Sequence, residues 1–241
     1  MSHLSEEAIV LRTYPFAEAD RIVVLLTKNS GKVRAIAKGI RRPKSKFGGR
    51  LELGSRVHLV VWRGRSDLGV ISQVQLLDGY SVIRSDLDRI TSTMAVLEVA
   101  DQLIQDDHED QALFSMVGNV LSTLNDPLMN VELIAPAFFL KALVADGAGP
   151  VVDQCVSCGA NEPLVAFAAR EGGMLCATCR RGRPVSPQAL TLLRRILTGG
   201  LRGVLLEPSN SAATEVATLA TEAIEQHLDR RLKTLRSAAT W

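Results

Sequence analysis

The four cysteines of this chain have the spacing of a metal site. They form two Cys-x-x-Cys pairs, Cys155 with Cys158 and Cys176 with Cys179, and 17 residues separate the pairs. A two-residue gap lets both thiolates of a pair reach one tetrahedral ion, so the spacing predicts one structural zinc ion with four cysteine ligands. Because the protein fills all four positions, no position is open for a catalytic water.

Two other interpretations of the cysteines are weaker. Two disulfides would need an oxidising compartment, and the opening MSHLSEEAIVLRTY has acidic residues where a signal peptide is basic and then apolar. A thioredoxin-like redox pair would need only one Cys-x-x-Cys motif. The intervening PLVAFAAREGGMLC alternates in polarity and turns at Gly172 and Gly173, which predicts a hairpin that brings the second pair beside the first.

A second candidate site is the basic stretch AIAKGIRRPKSKFGGR, from Ala35 to Arg50. Six of its sixteen residues are Lys or Arg, and none is Asp or Glu. Residues 1–80 carry a net charge of +7, residues 81–150 carry −8 and residues 151–241 carry +3. This segregation predicts that the N-terminal part binds a polyanion, although chance segregation of solvated faces is the alternative.

The residues around the basic stretch have the pattern of β-strands. Pro43 and the glycines of residues 39–55 indicate a long exposed loop, and Gly31 in TKNSGK predicts a hairpin between strands two and three. Five short antiparallel strands with one long loop indicate a Greek-key barrel of the OB type, whose loops commonly hold single-stranded nucleic acid; an SH3-like barrel is the alternative. The five strand segments, rich in Val and Ile, are EAIVLRTY, RIVVLLT, KVRAIAKG, RVHLVVWR and GVISQVQLL.

From about Asp86 the hydrophobic period changes from two to 3.6, which predicts helices. The segments are LDRITSTMAVLEVADQLI, QALFSMVGNVLSTL, VELIAPAFFLKALVADG and SPQALTLLRRILTGG, the last capped by Ser186 and ended by Gly199. A terminal helix is expected to carry the apolar stripe from Val216 to Leu235. In the first helix the expected core stripe is Leu87, Ile90, Met94, Leu97 and Asp101 or Ile104.

These patterns predict an α+β multidomain protein, in which an N-terminal five-stranded OB-type β-barrel precedes an α-helical domain with an inserted four-Cys zinc-ribbon-like segment. The expected domains are the barrel (1–80), the first helical part (81–150), the zinc-binding segment (151–184) and the C-terminal helical part (185–241). Hydrophobic residues make up 46% of the chain, and no apolar run approaches the roughly 18 residues of a membrane span. We expect a cytoplasmic protein with no membrane partner.

Motifs of nucleotide-driven and hydrolytic enzymes are missing. GIRRPKSK departs from the phosphate-binding loop, because Lys44 stands at the second Gly position and Ser45 at the Lys position. The acidic run DDHED, Asp106 to Asp110, suggests a metal-dependent nuclease that would depend on Asp107, but such a run is more typical of a solvated loop between helices. No catalytic residue is predicted.

In this order of features the chain resembles RecO, a family of bacterial DNA repair and recombination mediators. The matching stretches are AIVLRTYPFAEADRIVVLLTKNSGKVRAIAKGIRRPKSKFGGRLELG, FFLKALVADGAGPVVDQCVSCG and EQHLDRRLKTLRSA. The resemblance implies a non-enzymatic protein of the RecF pathway that binds single- and double-stranded DNA and anneals complementary strands. It also implies that the protein, with RecR, helps load RecA onto DNA coated by single-strand-binding protein, whose C-terminal tail contacts the helical region. Its expected place is the bacterial cytoplasm, with the nucleoid when on DNA.

On this resemblance, the basic stretch is expected to contact DNA backbones. Each Lys or Arg would neutralise one phosphate and release a counterion, without sequence preference. Phe47, Tyr14, Phe16 and Trp62 are candidates for base stacking, although a Trp at a strand position is more often in a core. The predicted DNA-binding residues are Arg34, Lys38, Arg41, Arg42, Lys44, Lys46 and Arg50.

Two other functions remain open from the residues alone. A zinc-ribbon and OB-fold interaction module of the transcription or translation machinery would prefer RNA or polymerase to single-stranded DNA. A nuclease or NTPase would depend on the acidic run or on the Lys-Ser pair in the basic stretch.

Overall fold

The computed structural model describes residues 2–64, 68–106, 108–161 and 163–238. The chain divides into two compact units, Met1–Asn125 and Asp126–Trp241. The four-part domain division drawn from the sequence stays a prediction.

A closed five-stranded barrel occupies most of the first unit, as predicted for an OB-type fold. Around the barrel the order is β1-β2-β3-β5-β4, and β4 pairs with β1. β3 and β5 are parallel, so the expectation of antiparallel strands throughout is wrong for this pair. β3 has the direction of β1 because both are antiparallel to β2, and β5 has the direction of β1 because both are antiparallel to β4. β3 and β5 are therefore parallel where they pair. The strands are β1 (Ser2–Phe16), β2 (Asp20–Thr27), β3 (Lys32–Ala37), β4 (Arg56–Arg63) and β5 (Leu68–Asp78).

The barrel core follows from the period-two alternation of its strands, which sends every second side chain inward. Val57, Leu59 and Val61 of β4, for example, are fully buried. Two core side chains come from the long loop instead: Phe47, and Leu51 at the end of the 3-10 helix Gly48–Leu51. The predicted exposed loop therefore has an exposed basic part and an apolar end that fills the barrel.

The described part of the first unit also contains the helices α1 (Ser81–Arg84), α2 (Leu87–Leu103) and α3 (Gln111–Leu124). Asp86 and Asp110 cap α2 and α3 by accepting hydrogen bonds from backbone N–H groups in the first turn. The core stripe expected for α2 is partly wrong, because Leu87 is 75% exposed and Met94 is also exposed.

Asp101 links the C-terminal end of α2 to the barrel. This buried carboxylate lies 3.2 Å from Arg12 Nε of β1 and 3.4 Å from Lys32 Nζ of β3. Lys32 Nζ also donates a hydrogen bond of 2.6 Å to the Asp101 carbonyl oxygen. A buried carboxylate needs such partners, and these contacts hold the C-terminal end of α2 against the barrel, while Leu87 on the same helical face at the N-terminal end is exposed.

The second unit is built mainly from helices, with one small sheet. Helix α4 is buried on nearly every side and packs against α7. The sheet has the order β7-β6-β8, and β6 and β7 form the hairpin that the sequence predicts between the cysteine pairs. The elements are α4 (Val131–Ala145), β6 (Leu164–Ala168), the 3-10 helix Ala169–Glu171, β7 (Gly173–Cys176), β8 (Arg183–Pro184), α5 (Pro187–Thr198), α6 (Leu201–Leu205), α7 (Ser211–His227) and α8 (Lys233–Ala238).

The C-terminal pattern forms two helices, not the single helix expected from the stripe. Helix α7 ends at His227, and Asp229 has a positive φ of 49°, which takes the chain out of the helical path. Leu232 then turns back into the core, and its backbone N–H donates to Glu225 Oε1 at 2.8 Å. A stripe of apolar residues can continue through a turn, so periodicity alone did not reveal the break.

Candidate nucleic-acid interface and metal centre

The basic loop, residues 38–50, leaves β3 and is tied to the turn between β1 and β2. Gly39 N donates to Asp20 Oδ1 at 2.7 Å, and Arg41 N donates to the Ala19 carbonyl oxygen at 3.0 Å. At its other end, Phe47 is inserted in the barrel core. The loop is thus fixed at both ends while its cations lie at the surface.

Three cations of the basic loop have no partner among the described residues. Lys38, Arg42 and Lys44 are exposed, and their side chains make no hydrogen bond or ion pair with any described residue. An exposed cation without a carboxylate partner keeps its full charge for an external anion.

The other cations of the basic loop are held by carbonyl oxygens. Arg41 donates to Glu18 O at 3.2 Å, and Arg50 donates to Lys46 O at 2.6 Å. Lys46 Nζ donates to Ser72 O of β5 at 2.9 Å and lies 5.1 Å from the centre of the Phe47 ring. A carbonyl orients a cation without cancelling its charge, so the loop remains a strongly positive surface.

Arg34 differs from the other predicted DNA contacts because it already has an anionic partner. Its guanidinium donates to both carboxylate oxygens of Asp106, at 3.0 and 3.3 Å. Asp106 belongs to the acidic run, which the structure therefore places against the basic strand β3.

The four aromatic candidates have different environments. Phe47 is 1% exposed, so the expectation that it stacks on bases is wrong. Trp62 is 51% exposed and its ring lies 5.5 Å from that of His3, so its expected place in the core is also wrong. Tyr14 and Phe16 are exposed on β1. The alternation of β4 already held this signal, because Trp62 follows the inward-facing Val61.

The second candidate site brings all four cysteine sulfurs together. The Sγ atoms of Cys155, Cys158, Cys176 and Cys179 all lie within 4.8 Å of one another, and Cys158 and Cys176 are 3.7 Å apart. Four sulfurs around one tetrahedral ion at the usual bond length would be about 3.8 Å apart. All four thiols are free, and none is joined in a disulfide.

Local backbone structure positions these sulfurs. Cys155 and Cys158 lie in a tight turn in which Gly159 N donates to Cys155 O at 2.8 Å, and Gly159 has a positive φ of 77° that favours glycine. Cys176 is the last residue of β7, paired with Leu164 of β6. The hairpin thus returns the second pair to the first.

The thiols are unequal in acidity. A backbone hydrogen bond from Cys176 is the main cause that lowers the pKa of Cys155 to about 6, and one from Cys179 lowers the pKa of Cys176. A backbone hydrogen bond from Ala160 lowers the pKa of Cys158, but the three neighbouring sulfurs raise it more, to about 11. Backbone hydrogen bonds thus favour the thiolates of Cys155 and Cys176, whereas at Cys158 the neighbouring sulfurs oppose the thiolate, and a bound divalent cation would remove this opposition. The site therefore fits a metal ion.

The acidic run forms no comparable centre in the part of the chain that the structure describes. Asp106 pairs with Arg34, Glu109 accepts a hydrogen bond from Gln111, and Asp110 caps α3. Asp107, on which the nuclease alternative depended, lies outside the described residues. Among described residues, the four cysteines are the one group of three or more His, Cys, Asp or Glu close enough to share an ion.

Two family models match the chain in sequence order. The model of the recombination protein O N terminal matches residues 1–80, and the model of the recombination protein O C terminal matches residues 84–236. The chain belongs to the recombination protein O family.

Similar proteins agree with this assignment. DNA repair protein RecO of Thermobifida fusca is 36% identical over 241 residues, which covers 98% of each chain. DNA repair protein RecO of Frankia casuarinae is 36% identical over 234 residues, which covers 95% of this chain and 96% of its own. The RecO resemblance drawn from the sequence is thus confirmed, and with it a family of DNA repair and recombination.

Both candidate sites lie in parts of the chain that the RecO family models match. The N-terminal model covers the whole barrel with its basic loop, and the C-terminal model covers all four cysteines. No helix in the described ranges is both long and apolar enough to cross a membrane.

Proposed function

We propose that this RecO family member is a non-enzymatic DNA-binding protein of recombinational repair that anneals complementary single strands. With RecR it helps load RecA onto DNA coated by single-strand-binding protein, in the bacterial cytoplasm. The observation that carries the proposal is the basic loop, in which Lys38, Arg42 and Lys44 are exposed without a carboxylate partner.

The physical mechanism is neutralisation of backbone charge. Two DNA strands repel each other in solution, and a cationic surface that contacts phosphates brings both strands together. Contacts to phosphates carry no sequence information and leave base edges free to pair. The proposed contacts are Lys38, Arg41, Arg42, Lys44, Lys46 and Arg50, with Arg34 joining when it leaves Asp106.

The helical region is the proposed partner surface. It would receive the acidic C-terminal tail of single-strand-binding protein, which would tether that protein to the chain that also carries the DNA-binding barrel. Annealing on coated DNA would then begin where the coating protein is already held.

The four cysteines are proposed to hold one structural zinc ion. Bound zinc would supply a fixed tetrahedral cross-link, while Cys155, Cys158, Cys176 and Cys179 fill every ligand position. The chain itself would supply the four thiolates from two turns, which the β6–β7 hairpin holds close together.

The test is annealing of two complementary oligonucleotides coated with single-strand-binding protein, without any nucleotide. Full-length protein should accelerate duplex formation, and the Lys38, Arg42, Lys44 triple Ala variant should lose this effect. In direct binding, its slope of log affinity against log salt should be lower by about 2 on single strands, at about 0.7 per phosphate contact.

A matched control removes the same charge elsewhere. Arg170, Arg202 and Arg231 are exposed in the second unit, and their triple Ala variant should keep the annealing rate and the salt slope. Equal losses in both variants would mean that net charge, not the basic loop, carries binding. Absence of annealing by the unaltered protein, together with tight RNA binding, would favour the zinc-ribbon interaction module.

A further inference from the structure

The outer surface of the barrel carries a continuous row of apolar and aromatic side chains that the phosphate contacts do not use. Strand register places its members side by side: Tyr14 opposite Ile22, Ile22 opposite Ile36, Ile36 opposite Val70, Val70 opposite Trp62, and Trp62 opposite His3. This set is called the outer row below. It crosses all five strands and, because the barrel is sheared, begins and ends on β1.

The outer row faces solvent, not the core. Neighbouring residues on the same strands, Val23, Ala35, Ile71 and Val61, are core residues with at most 1% exposure. Successive side chains on a strand point to opposite faces, so the row points outward. Trp62 is 51% and Tyr14 38% exposed, and the aliphatic members between them are partly exposed.

The adjacent outward row on one side is already covered. Arg12, Val24 and Arg34 are aligned by register across β1, β2 and β3. Val24 is fully buried although it points out of the barrel, and the two arginines pair with Asp101 and Asp106. The segment at the end of α2 therefore shields that row and leaves the outer row open beside it.

On its other side the outer row borders the basic loop. Lys46 Nζ is hydrogen-bonded to the carbonyl oxygen of Ser72, two residues along β5 from Val70. Phe16 and Asp20, paired two positions beyond Tyr14 and Ile22, lead into the turn to which Arg41 is bonded. The outer row, with its exposed aromatic rings, thus lies beside the cations of the basic loop.

The outer row and the basic loop together match the chemistry of a single polynucleotide strand, which has phosphates on one side and flat apolar bases on the other. From Tyr14 to Trp62 the outer row spans four strand spacings, about 19 Å, enough for a few nucleotides. In a duplex the bases stack on one another and are not available to the row.

We propose that the outer row is a base-contacting surface for single-stranded DNA, with Trp62 as its main stacking residue. The inference rests on the proposed DNA-binding function and adds to it the means by which single strands are preferred to duplex. Stacking uses the faces of the bases and not their pairing edges, so a strand held in this way remains able to anneal.

A direct test uses the fluorescence of Trp62. The chain has two tryptophans, so Trp241→Phe leaves Trp62 as the sole one. Titration of this full-length variant with oligothymidine should quench its emission to saturation, whereas a duplex of equal length should bind without comparable quenching. Binding of oligothymidine with unchanged Trp62 emission would overturn the inference.

Affinity measurements on the full-length chain provide a second test. Trp62→Ala should weaken single-strand binding by roughly 5- to 150-fold, with unchanged duplex affinity and an unchanged salt slope, since stacking contributes without phosphate contacts. Trp62→Phe should restore part of the loss because it keeps a ring. Leu87→Ala, which removes an exposed apolar side chain outside the row, is the control and should change neither affinity.

The outcomes separate the two proposals. If the unaltered protein binds neither single strands nor duplex, the proposed function fails. If it binds both and Trp62→Ala weakens both equally, or weakens neither, only the outer row proposal fails. Loss of binding to a protein partner in Trp62→Ala, with DNA affinity intact, would assign the row to protein recognition instead.

Discussion

At the scale of single residues, Phe47 anchors the basic loop in the barrel core, while the neighbouring cations stay at the surface. It lies in sequence among lysines and arginines, yet its side chain is buried with Val10, Leu25 and Leu59 in the barrel core. Lys46 beside it is directed to the surface and to Ser72. The apolar residue fixes the loop on the barrel, and the charged neighbours are thereby presented to solvent.

Replacing Phe47 with Ala should destabilise the first unit by about 3–5 kcal/mol, the usual cost of deleting a large buried ring and leaving a cavity. Phe16→Ala, at an exposed aromatic, should change stability by no more than about 0.5 kcal/mol. Urea unfolding of both variants measures the difference. A similar small loss in both would contradict the burial of Phe47.

Glu7 and Arg56 provide a pH-dependent contact between β1 and β4. Arg56 donates to Glu7 Oε2 from Nε at 3.0 Å and from a terminal nitrogen at 2.5 Å. This hydrogen bonding lowers the pKa of Glu7 below its ordinary value. A carboxylate with a lowered folded-state pKa stabilises the protein above its unfolded pKa, near 4.3, and that contribution is lost as the pH falls through the folded value.

Glu7→Gln should therefore lower stability at pH 7 and reduce the loss of stability on acidification below about pH 4.3. Both side chains are partly exposed, so the effect should not exceed about 1 kcal/mol. Urea unfolding from pH 7 to pH 3 measures it. Glu52→Gln, at an exposed carboxylate, is the control. An equal loss of stability on acidification in Glu7→Gln and in the unaltered chain would refute the assignment.

At the scale of elements, the β6–β7 hairpin and its two flanking turns depend on one another through the cysteines. The strands are short, and the sheet that the described residues form consists of β6, β7 and β8. Salt bridges add to it, from Arg181 to Glu171 and from Arg183 to Glu222 of α7. Exposed ion pairs contribute little, so a bound metal ion would link the two turns more strongly than these salt bridges do.

Removing the metal should consequently loosen this region and leave the barrel intact. Metal analysis of the purified chain should give one zinc ion per molecule, and a strong chelator should raise hydrogen exchange in residues 151–184 while β1 to β5 stay protected. Cys158→Ser, at the exposed ligand, should have the same local effect. Absence of bound metal would overturn the zinc assignment, and simultaneous loss of protection in the barrel would show that the two units are not independent.

At the scale of the whole molecule, the charge segregation has a structural counterpart within the first unit. The basic barrel and the acidic segment that follows it are in contact, through Asp101 with Arg12 and Lys32 and through Asp106 with Arg34. These pairs neutralise one side of β1 and β3, while the basic loop keeps its charge. Part of the positive charge of residues 1–80 is therefore paired within the first unit. The surface available to a polyanion is smaller than the net charge of +7 suggests.

The sequence alone determined the elements, the four-cysteine motif, the basic loop and the family. These are local properties: alternation, helical period, turn residues and motif spacing are all read from neighbours in the chain. Strands β2 to β5, the β6–β7 hairpin and helices α2 to α5 were predicted close to their observed positions for this reason, whereas β1 begins earlier than predicted and the short elements α1, α6 and β8 were not predicted. The full-length match to the RecO family confirmed the resemblance that the motifs indicated.

Only the tertiary structure decided which face of each element meets a partner. Leu87 and Met94 lie on the same helical stripe as Asp101, yet they are exposed, whereas Asp101 is buried against Arg12 and Lys32. Phe47 enters the core from the long loop, where no strand alternation indicates which side chains face inward. The outer row exists only through the register of five strands from distant parts of the chain. Burial and register are set by contacts between residues far apart in sequence, which local patterns do not contain.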